Sequence, residues 1–316
     1  MKIKRILYIL VVAFILALVL RIFVFETVRV ASPAMEQSQT IGNRLIIEKW
    51  SLGPRMPQSF KNPFSSKNNT EGNRWIQLTQ DLIRLPGFSS IQRNNLLVFN
   101  DPRSDKNTPV GQRPVLISRC TGLPGEFIQI KGSSLYVNDE EIQRPVDVTQ
   151  CFRFANSRKK QIEKVIDENI PGKEIYQGCD SGFIFLTSYE YLYLCDKAMN
   201  KRLPLYPFIS ENDVRTALIP YKGYSIQLNN RSLSLWSEIL EKYEKVSVKR
   251  QNGKILLNGH ATEYYTFKQN YYWVLNDHQG YLNDSRTFGP IPECHIIGKA
   301  CLILYSPEKK RLLQKI

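Results

Sequence analysis

Ile117-Ser118-Arg119-Cys120-Thr121-Gly122-Leu123-Pro124-Gly125-Glu126 reads as a β-strand running into a tight turn. The run Val115 to Cys120 is rich in β-branched and apolar residues. Gly122, Pro124 and Gly125 then punctuate it, because glycine permits and proline fixes the backbone angles that a turn needs. The same rhythm recurs on both sides. Short β-branched or aromatic runs stand at Arg44 to Glu48, Leu96 to Asn100, Phe127 to Lys131, Ser134 to Asn138, Val246 to Arg250, Lys254 to Asn258, Tyr271 to Leu275 and Ile296 to Tyr305. Many short strands separated by Gly, Pro, Asn and Asp predict a mainly β, antiparallel domain of barrel or sandwich character. Asn252-Gly253 between two such runs predicts a hairpin, and the Ser-, Asn- and Pro-rich stretch Pro57 to Gly72 an exposed loop.

Two stretches follow a helical period instead. Ile162, Val165, Ile166 and Ile170 lie on one face of Ser157 to Ile170, and Leu235, Trp236, Ile239, Leu240 and Tyr243 on one face of Leu233 to Tyr243. Both fall between Asp139 and Lys245, so residues 139–245 are expected to form an inserted α+β lobe, with the β domain made of 26–138 and 246–308 and a basic tail at 309–316. At the other end, Lys2, Lys4 and Arg5 form a short basic segment, 1–5, before an apolar run, 6–25, broken only by Arg21. Twenty such residues are enough to cross a bilayer as a helix. A cleaved leader would need small residues close behind the run, and Ser32 and Ala34 come too late. An uncleaved single-pass anchor is therefore expected in the cytoplasmic (inner) membrane. With the lysines held inside, the rest of the chain belongs on the outer or periplasmic face.

The chain has 316 residues, of which 42% are apolar, so a sizeable core is affordable and whole-chain disorder is excluded. Its net charge of +14 suits an anionic surface, and behind a membrane anchor it reads as directed at lipid, with no nucleic-acid partner. Six cysteines in an exported domain permit disulfides without fixing their pairing. No metal site and no cofactor are expected, because Cys-x-x-Cys is missing and His260, His278 and His295 are scattered.

Four segments in order resemble the type I signal peptidase (leader peptidase) family. Ser32-Pro33-Ala34-Met35-Glu36 with Gly42-Asn43-Arg44 is similar to its nucleophile segment, Ser-x-Ser-Met-x-Pro-Thr followed by Gly-Asp. Asn94-Asn95 and the strand Leu96 to Asn100 resemble its Gly-Asp strand, and Ser118 to Glu126 its Lys-Arg-x-x-Gly-Leu-Pro-Gly-Asp block. Asn276-Asp277-His278 through Asp284-Ser285-Arg286, closed by Gly298-Lys299-Ala300, resembles its Gly-Asp-Asn-x-x-x-Ser-x-Asp-Ser-Arg and Gly-Lys-Ala.

The resemblance implies a β domain lying on the membrane, and a serine that attacks the peptide carbonyl after giving its proton to a neutral lysine whose pKa an apolar pocket lowers. Aligned on these motifs, the nucleophile falls on Ala34, the base on Ser118 and the hydroxyl that orients the base on Leu282. Ser32 takes the place of the oxyanion donor, while Asp277, Asp284, Ser285 and Arg286 match supporting positions. A methyl cannot attack, and losing the nucleophile of a serine hydrolase costs on the order of a million-fold. The expectation is a non-cleaving homologue that keeps a groove for the signal-peptide tails of exported precursors. An active signal peptidase and its translocon are possible partners beside membrane lipid. The alternative is an active serine endopeptidase with a rearranged site, using Ser32 or His278. A third reading is a scaffold of an export complex.

Overall fold

The computed structural model describes residues 2–36, 38–61, 75–77, 82–105, 108–131, 134–143, 145, 147–197, 204–207, 215–251, 254–308 and 311–316. It opens with helix α1, Lys2–Val19, continued by a π-helical turn over Leu20–Val24. Lys4–Val24 forms a 21-residue span of mean hydropathy 2.9 with none of it buried in protein. At 1.5 Å per residue that is about 30 Å of uncovered apolar helix, the thickness of a bilayer core. The anchor ends one residue earlier than the hydrophobicity suggests, because Phe25 already belongs to a strand.

The main sheet consists of β1 (Phe25–Arg29), β2 (Arg44–Glu48), β3 (Leu96–Asn100), β4 (Val115–Gly122), β5 (Tyr271–Leu275), β6 (Ile291–Pro292), β7 (Ile296–Ser306) and β8 (Arg311–Lys315). Its spatial order is β1-β2-β7-β3-β4-β5-β6, with β8 added to β7, and every pairing is antiparallel. Successive side chains of a strand face opposite sides. In β3, Leu97 and Phe99 enter a core with Leu52, Cys120, Val274 and Ile296, while Val98 enters another with Val30, Leu45, Ile47 and Ile303. A strand buried on both faces has no polar alternation, which is why Leu96 to Phe99 is unbroken in sequence. Two motif glycines serve this packing. Gly125 turns the chain at φ +88°, and a Cβ on Gly298 would collide with the Glu48 carbonyl of the neighbouring strand.

A second, smaller sheet pairs Phe127–Lys131 with Ser134–Val137 and with Arg215–Leu218. Its core joins Ile128, Ile130 and Leu135 to Leu233, Ile239 and Leu240 of α2 (Asn230–Lys242) and to Tyr265, Phe267 and Tyr271. Asn229 caps α2 by accepting from the Ser232 amide at 2.8 Å while Ser232 Oγ accepts from the Asn229 amide at 2.8 Å. In this core the buried Glu244 carboxylate accepts from Tyr271 Oη at 2.6 Å, Tyr265 Oη at 2.8 Å and the Lys268 amide at 3.1 Å. A third unit pairs Thr149–Ala155 with Ser181–Thr187 and covers the pair with the helices Lys159–Asn169 and Ser188–Lys197.

The stretch expected as one inserted lobe thus feeds two cores, with Phe152 to Leu205 making its own and Ile219 to Val246 joining Ile128. The expected basic tail is partly a strand, since Leu312 of β8 lies opposite Tyr305. Asn252 and Gly253 lie outside the described residues, although Val248–Gln251 and Lys254–Leu257 pair as that turn requires. Most of Pro57 to Gly72 also lies outside them; of the remainder, Ser59–Lys61 pairs with Trp75–Gln77. All six cysteines are free thiols.

His295, 3% exposed, sits edge-on to Tyr243 with Nδ1 at 3.2 Å from the Asn100 carbonyl. Burial lowers its pKa from 6.5 to about 3, opposed by the Asn100 contact and assisted by Arg113 and Arg55. The unfolded chain takes up a proton below about 6.5 and the native one does not, so stability falls as pH drops from there toward 3. Urea midpoints should therefore decline over that window by an amount equivalent to a few kcal/mol. The decline should be shallower in His295→Gln, and an unchanged pH slope in that variant would refute the assignment.

Candidate active site and its vacancy

The segment after β1 carries the first site position. Ser32, extended at φ −123°, caps a short 3-10 turn, Pro33–Met35, which buries Ala34 and Met35. The Ala34 amide donates to Ser32 Oγ at 3.2 Å. The hydroxyl oxygen that the resemblance assigns to an oxyanion donor therefore already accepts from the neighbouring amide. The Ala34 carbonyl accepts from the His278 amide at 3.0 Å, and Met35 Sδ lies 3.4 Å from the Asp277 amide. These contacts tie the turn to the segment that follows β5.

Ser118 is fully buried on β4, and its hydroxyl donates to Asn276 Oδ1 at 2.7 Å. Asn276 in turn gives its side-chain amide to the Tyr281 carbonyl at 2.9 Å. The void lined by Arg119, Asn276 and Asp277 measures about 10 Å³, no more than a single water occupies. Asn276 stands where the resembling motif has glycine, so a branched amide fills space next to Ser118.

Around this pair the supporting groups form a tight electrostatic frame. Arg119 grips Asp277 with two parallel bonds of 2.7 and 2.6 Å, and Ser38 Oγ adds a third at 2.6 Å. Asp284, fully buried, accepts from the Asn276 amide at 2.9 Å and from Arg286 Nη2 at 2.7 Å. Ser285 Oγ accepts from the Val274 amide at 2.9 Å. Arg286 also donates to the carbonyls of Gln279 and Tyr281 at 3.0 and 3.1 Å, which fixes the loop's shape. Ion pairs of this kind hold geometry more than they add stability.

The structure thus brings together Ser32, Ala34, Ser118, Asp277, Asp284, Ser285 and Arg286. Leu282 is different: its side chain is 52% exposed, and its carbonyl accepts from Thr287 Oγ1. His278 packs against Phe185 and Tyr281 with ring centroids 4.9 Å away, and its Nδ1 accepts from the Gly280 amide at 3.1 Å. Burial, then Lys173, lowers its pKa, so it is a neutral packing group at pH 7. The third unit docks here too, since the Thr149 amide donates to the Asp277 carbonyl at 2.9 Å. Sequence reasoning missed Asn276, Arg119 and Thr149 as parts of the site. For Asn276 a signal existed, in that a glycine-to-asparagine gain accompanies a lysine-to-serine loss.

Main-chain edges border both reaction positions. β1, which leads to Ala34, pairs only with β2, so its outer edge carries no strand among the described residues. On β4, pairing with β5 starts at Arg119 and runs toward Gly122, leaving that edge of Val115 to Ser118 without a strand among the described residues. The Pro33–Met35 turn packs against β4.

An N-terminal helix long and apolar enough to cross a membrane, an antiparallel β domain, and two carboxylate–arginine pairs around Ser118 and Asn276 are the features of a signal-peptidase relative. The family model described as "Signal peptidase, peptidase S26" matches residues 3–187 and 217–305. The chain belongs to that family. It is similar to Signal peptidase I of Buchnera aphidicola subsp. Schizaphis graminum (strain Sg), at 22% identity over 297 residues, covering 94% of this chain and 73% of the relative. Of the unmatched 188–216, the helix Ser188–Lys197 belongs to the third unit, and Arg215 and Thr216 begin a strand of the second sheet.

Proposed function

We propose that this chain is a non-cleaving signal peptidase homologue that holds the extended tails of signal peptides without hydrolysing them. One observation carries the reading: the strand leading to Ala34 and the strand carrying Ser118 both have edges without a partner strand among the described residues, yet one position holds a methyl and the other a hydroxyl already donated to Asn276. An extended peptide laid along such edges gains main-chain hydrogen bonds and needs no nucleophile. Ser32 does not replace the missing group, because its oxygen is occupied by the Ala34 amide and no base faces it among its described bonds. With the basic Lys2, Lys4 and Arg5 on the cytoplasmic side, the β domain would meet exported precursors on the outer face.

The test uses the purified full-length protein in detergent with a fluorescent signal-peptide tail and an intact precursor. Saturable binding below about 1 mM with no cleaved product is expected. No binding at that concentration would discard the groove, and product that disappears in Ser32→Ala would establish the rearranged peptidase instead.

A further inference from the structure

Where the anchor meets the β domain, a cavity of about 350 Å³ opens between Leu18, Arg21 and Ile22 of the helix and Glu26, Lys49 and Arg55 of the domain. Its charged lining is three cations against one carboxylate. Arg21 is exposed on the helix, while Lys49 and Arg55 are held inside the cavity wall. Lys49 is 7% exposed and donates to the Arg21 carbonyl at 2.8 Å and to Glu26 at 3.3 Å, which makes it a strut between anchor and domain. The Arg55 guanidinium donates to the carbonyls of Cys294 and His295 at 3.0 and 3.3 Å and to Asn100 Oδ1 at 2.8 Å. Among the described residues no carboxylate lies within salt-bridge distance of Arg55, and its neighbour Arg84 likewise bonds backbone carbonyls, those of Gly53 and Glu293 at 2.7 and 3.1 Å among them.

Burial lowers Lys49 below its ordinary range and brings Arg55 down to about 10, with Arg84 adding to the shift at Arg55. A buried guanidinium that bonds no carboxylate among the described residues, beside a lysine sharing one partly exposed acid and an exposed arginine, makes a site that gains from an incoming anion. The depth of the cavity decides which anion. Arg21 lies three residues from the end of the Lys4–Val24 span, at the level where a bilayer places its headgroups. Leu18 and Ile22, exposed on the helix, form an apolar wall running from the cavity into the bilayer core.

We infer that this cavity is a binding site for an anionic phospholipid, its phosphodiester seated between Arg21, Lys49 and Arg55 and its acyl chains lying along Leu18 and Ile22. A free phosphate would match the cations but leave the apolar wall uncovered. The bound lipid bridges anchor and domain through the Lys49 strut, so it sets how the β domain sits on the membrane. The inference is independent of whether the chain cleaves.

The experiment is native mass spectrometry and thermal melting of the full-length protein in detergent. Phosphatidylglycerol, phosphatidylcholine, inorganic phosphate and glycerol phosphate are added in separate arms. Phosphatidylglycerol should be retained as a discrete adduct and raise the melting temperature, while the zwitterionic lipid and both soluble anions do neither. Arg21→Gln, on an exposed helix position that should fold normally, should weaken phosphatidylglycerol binding about fivefold, the usual worth of one cation near an anionic lipid. Lys49→Gln added to it should weaken binding about fivefold again. Lys249→Gln, an exposed cation on the separate hairpin Val248–Leu257, should change nothing. Equal retention of the two lipids, equal stabilisation by free phosphate, or equal weakening by Lys249→Gln would each overturn the site.

Discussion

A chain carrying Ala34→Ser, Ser118→Lys and Asn276→Gly should cleave an exported precursor, while Ala34→Ser with Ser118→Lys alone should not. On the proposed reading the nucleophile and the base are both replaced, by Ala34 and Ser118, so restoring them is necessary. The structure shows why it is insufficient. Ser118 Oγ and Asn276 Oδ1 are 2.7 Å apart, and both residues are buried. A lysine side chain there must displace Asn276, at the 1–3 kcal/mol typical of an overpacked core. If instead it reaches the same partner, an amide oxygen accepting from the amine stabilises the protonated form, and a protonated amine cannot take a proton from a serine. Asn276→Gly removes both obstacles at once. The expected gain of the three-site variant over the two-site one is on the order of 10²–10⁴ in cleavage rate, the worth of a positioned general base. Leu282→Ser should raise it further if the loop brings that hydroxyl inward to orient the amine. Mass spectrometry of the cleaved precursor measures each step. Equal activity of the two-site and three-site variants would show that Asn276 is not the block, and activity of the native chain would show that no vacancy exists.

The strands were legible because their patterns are local. Leu96 to Asn100, Phe127 to Lys131 and Tyr271 to Leu275 are bounded by turn residues, and their structural limits coincide with those of the sequence runs. Phe25–Arg29 was not legible as a strand, since Phe25 continues an apolar anchor and Glu26, Thr27, Val28 and Arg29 are too few to show a period. Ser188–Lys197 was hidden for another reason. Its alternation of Tyr189, Tyr191 and Tyr193 resembles a strand, while only Leu194 is buried in the helix it forms.

The site divides in the same way. Motif alignment pointed to Ala34, Ser118, Asp277 and Asp284, because short-range spacing carries them. It did not find their partners. Arg119 meets Asp277 across 158 positions, as Ser118 meets Asn276 across the same interval, and Thr149 reaches the loop from a unit with its own core. Pairing of strands β4 and β5 makes those contacts, and nothing in either segment alone announces them.

The largest stability effect should come from Asp284→Ala. This carboxylate is fully buried, and its two oxygens accept three contacts from the Arg286 guanidinium at 2.7 to 3.1 Å, besides one from the Asn276 amide at 2.9 Å and one from the Arg286 amide at 3.0 Å. Truncation leaves the Arg286 guanidinium buried beside no acid and strips the Asn276 amide of its acceptor. Breaking a buried pair from one side costs about 3–5 kcal/mol, most of it the uncompensated charge rather than the bond. Asp284→Asn, which keeps the shape and one acceptor oxygen, should cost distinctly less. Asp284→Ala with Arg286→Met should recover part of the loss, because a thioether chain of similar length needs no counter-charge. Urea unfolding of the three variants in detergent, followed by tryptophan fluorescence, reads the order directly. The same order should appear in hydrogen exchange of the Asn276 to Tyr281 amides, since Asp284 and Arg286 together pin that loop over Ser118. A loss below about 1 kcal/mol for Asp284→Ala, or a double variant weaker than both singles, would mean that the frame is held by packing and not by this pair.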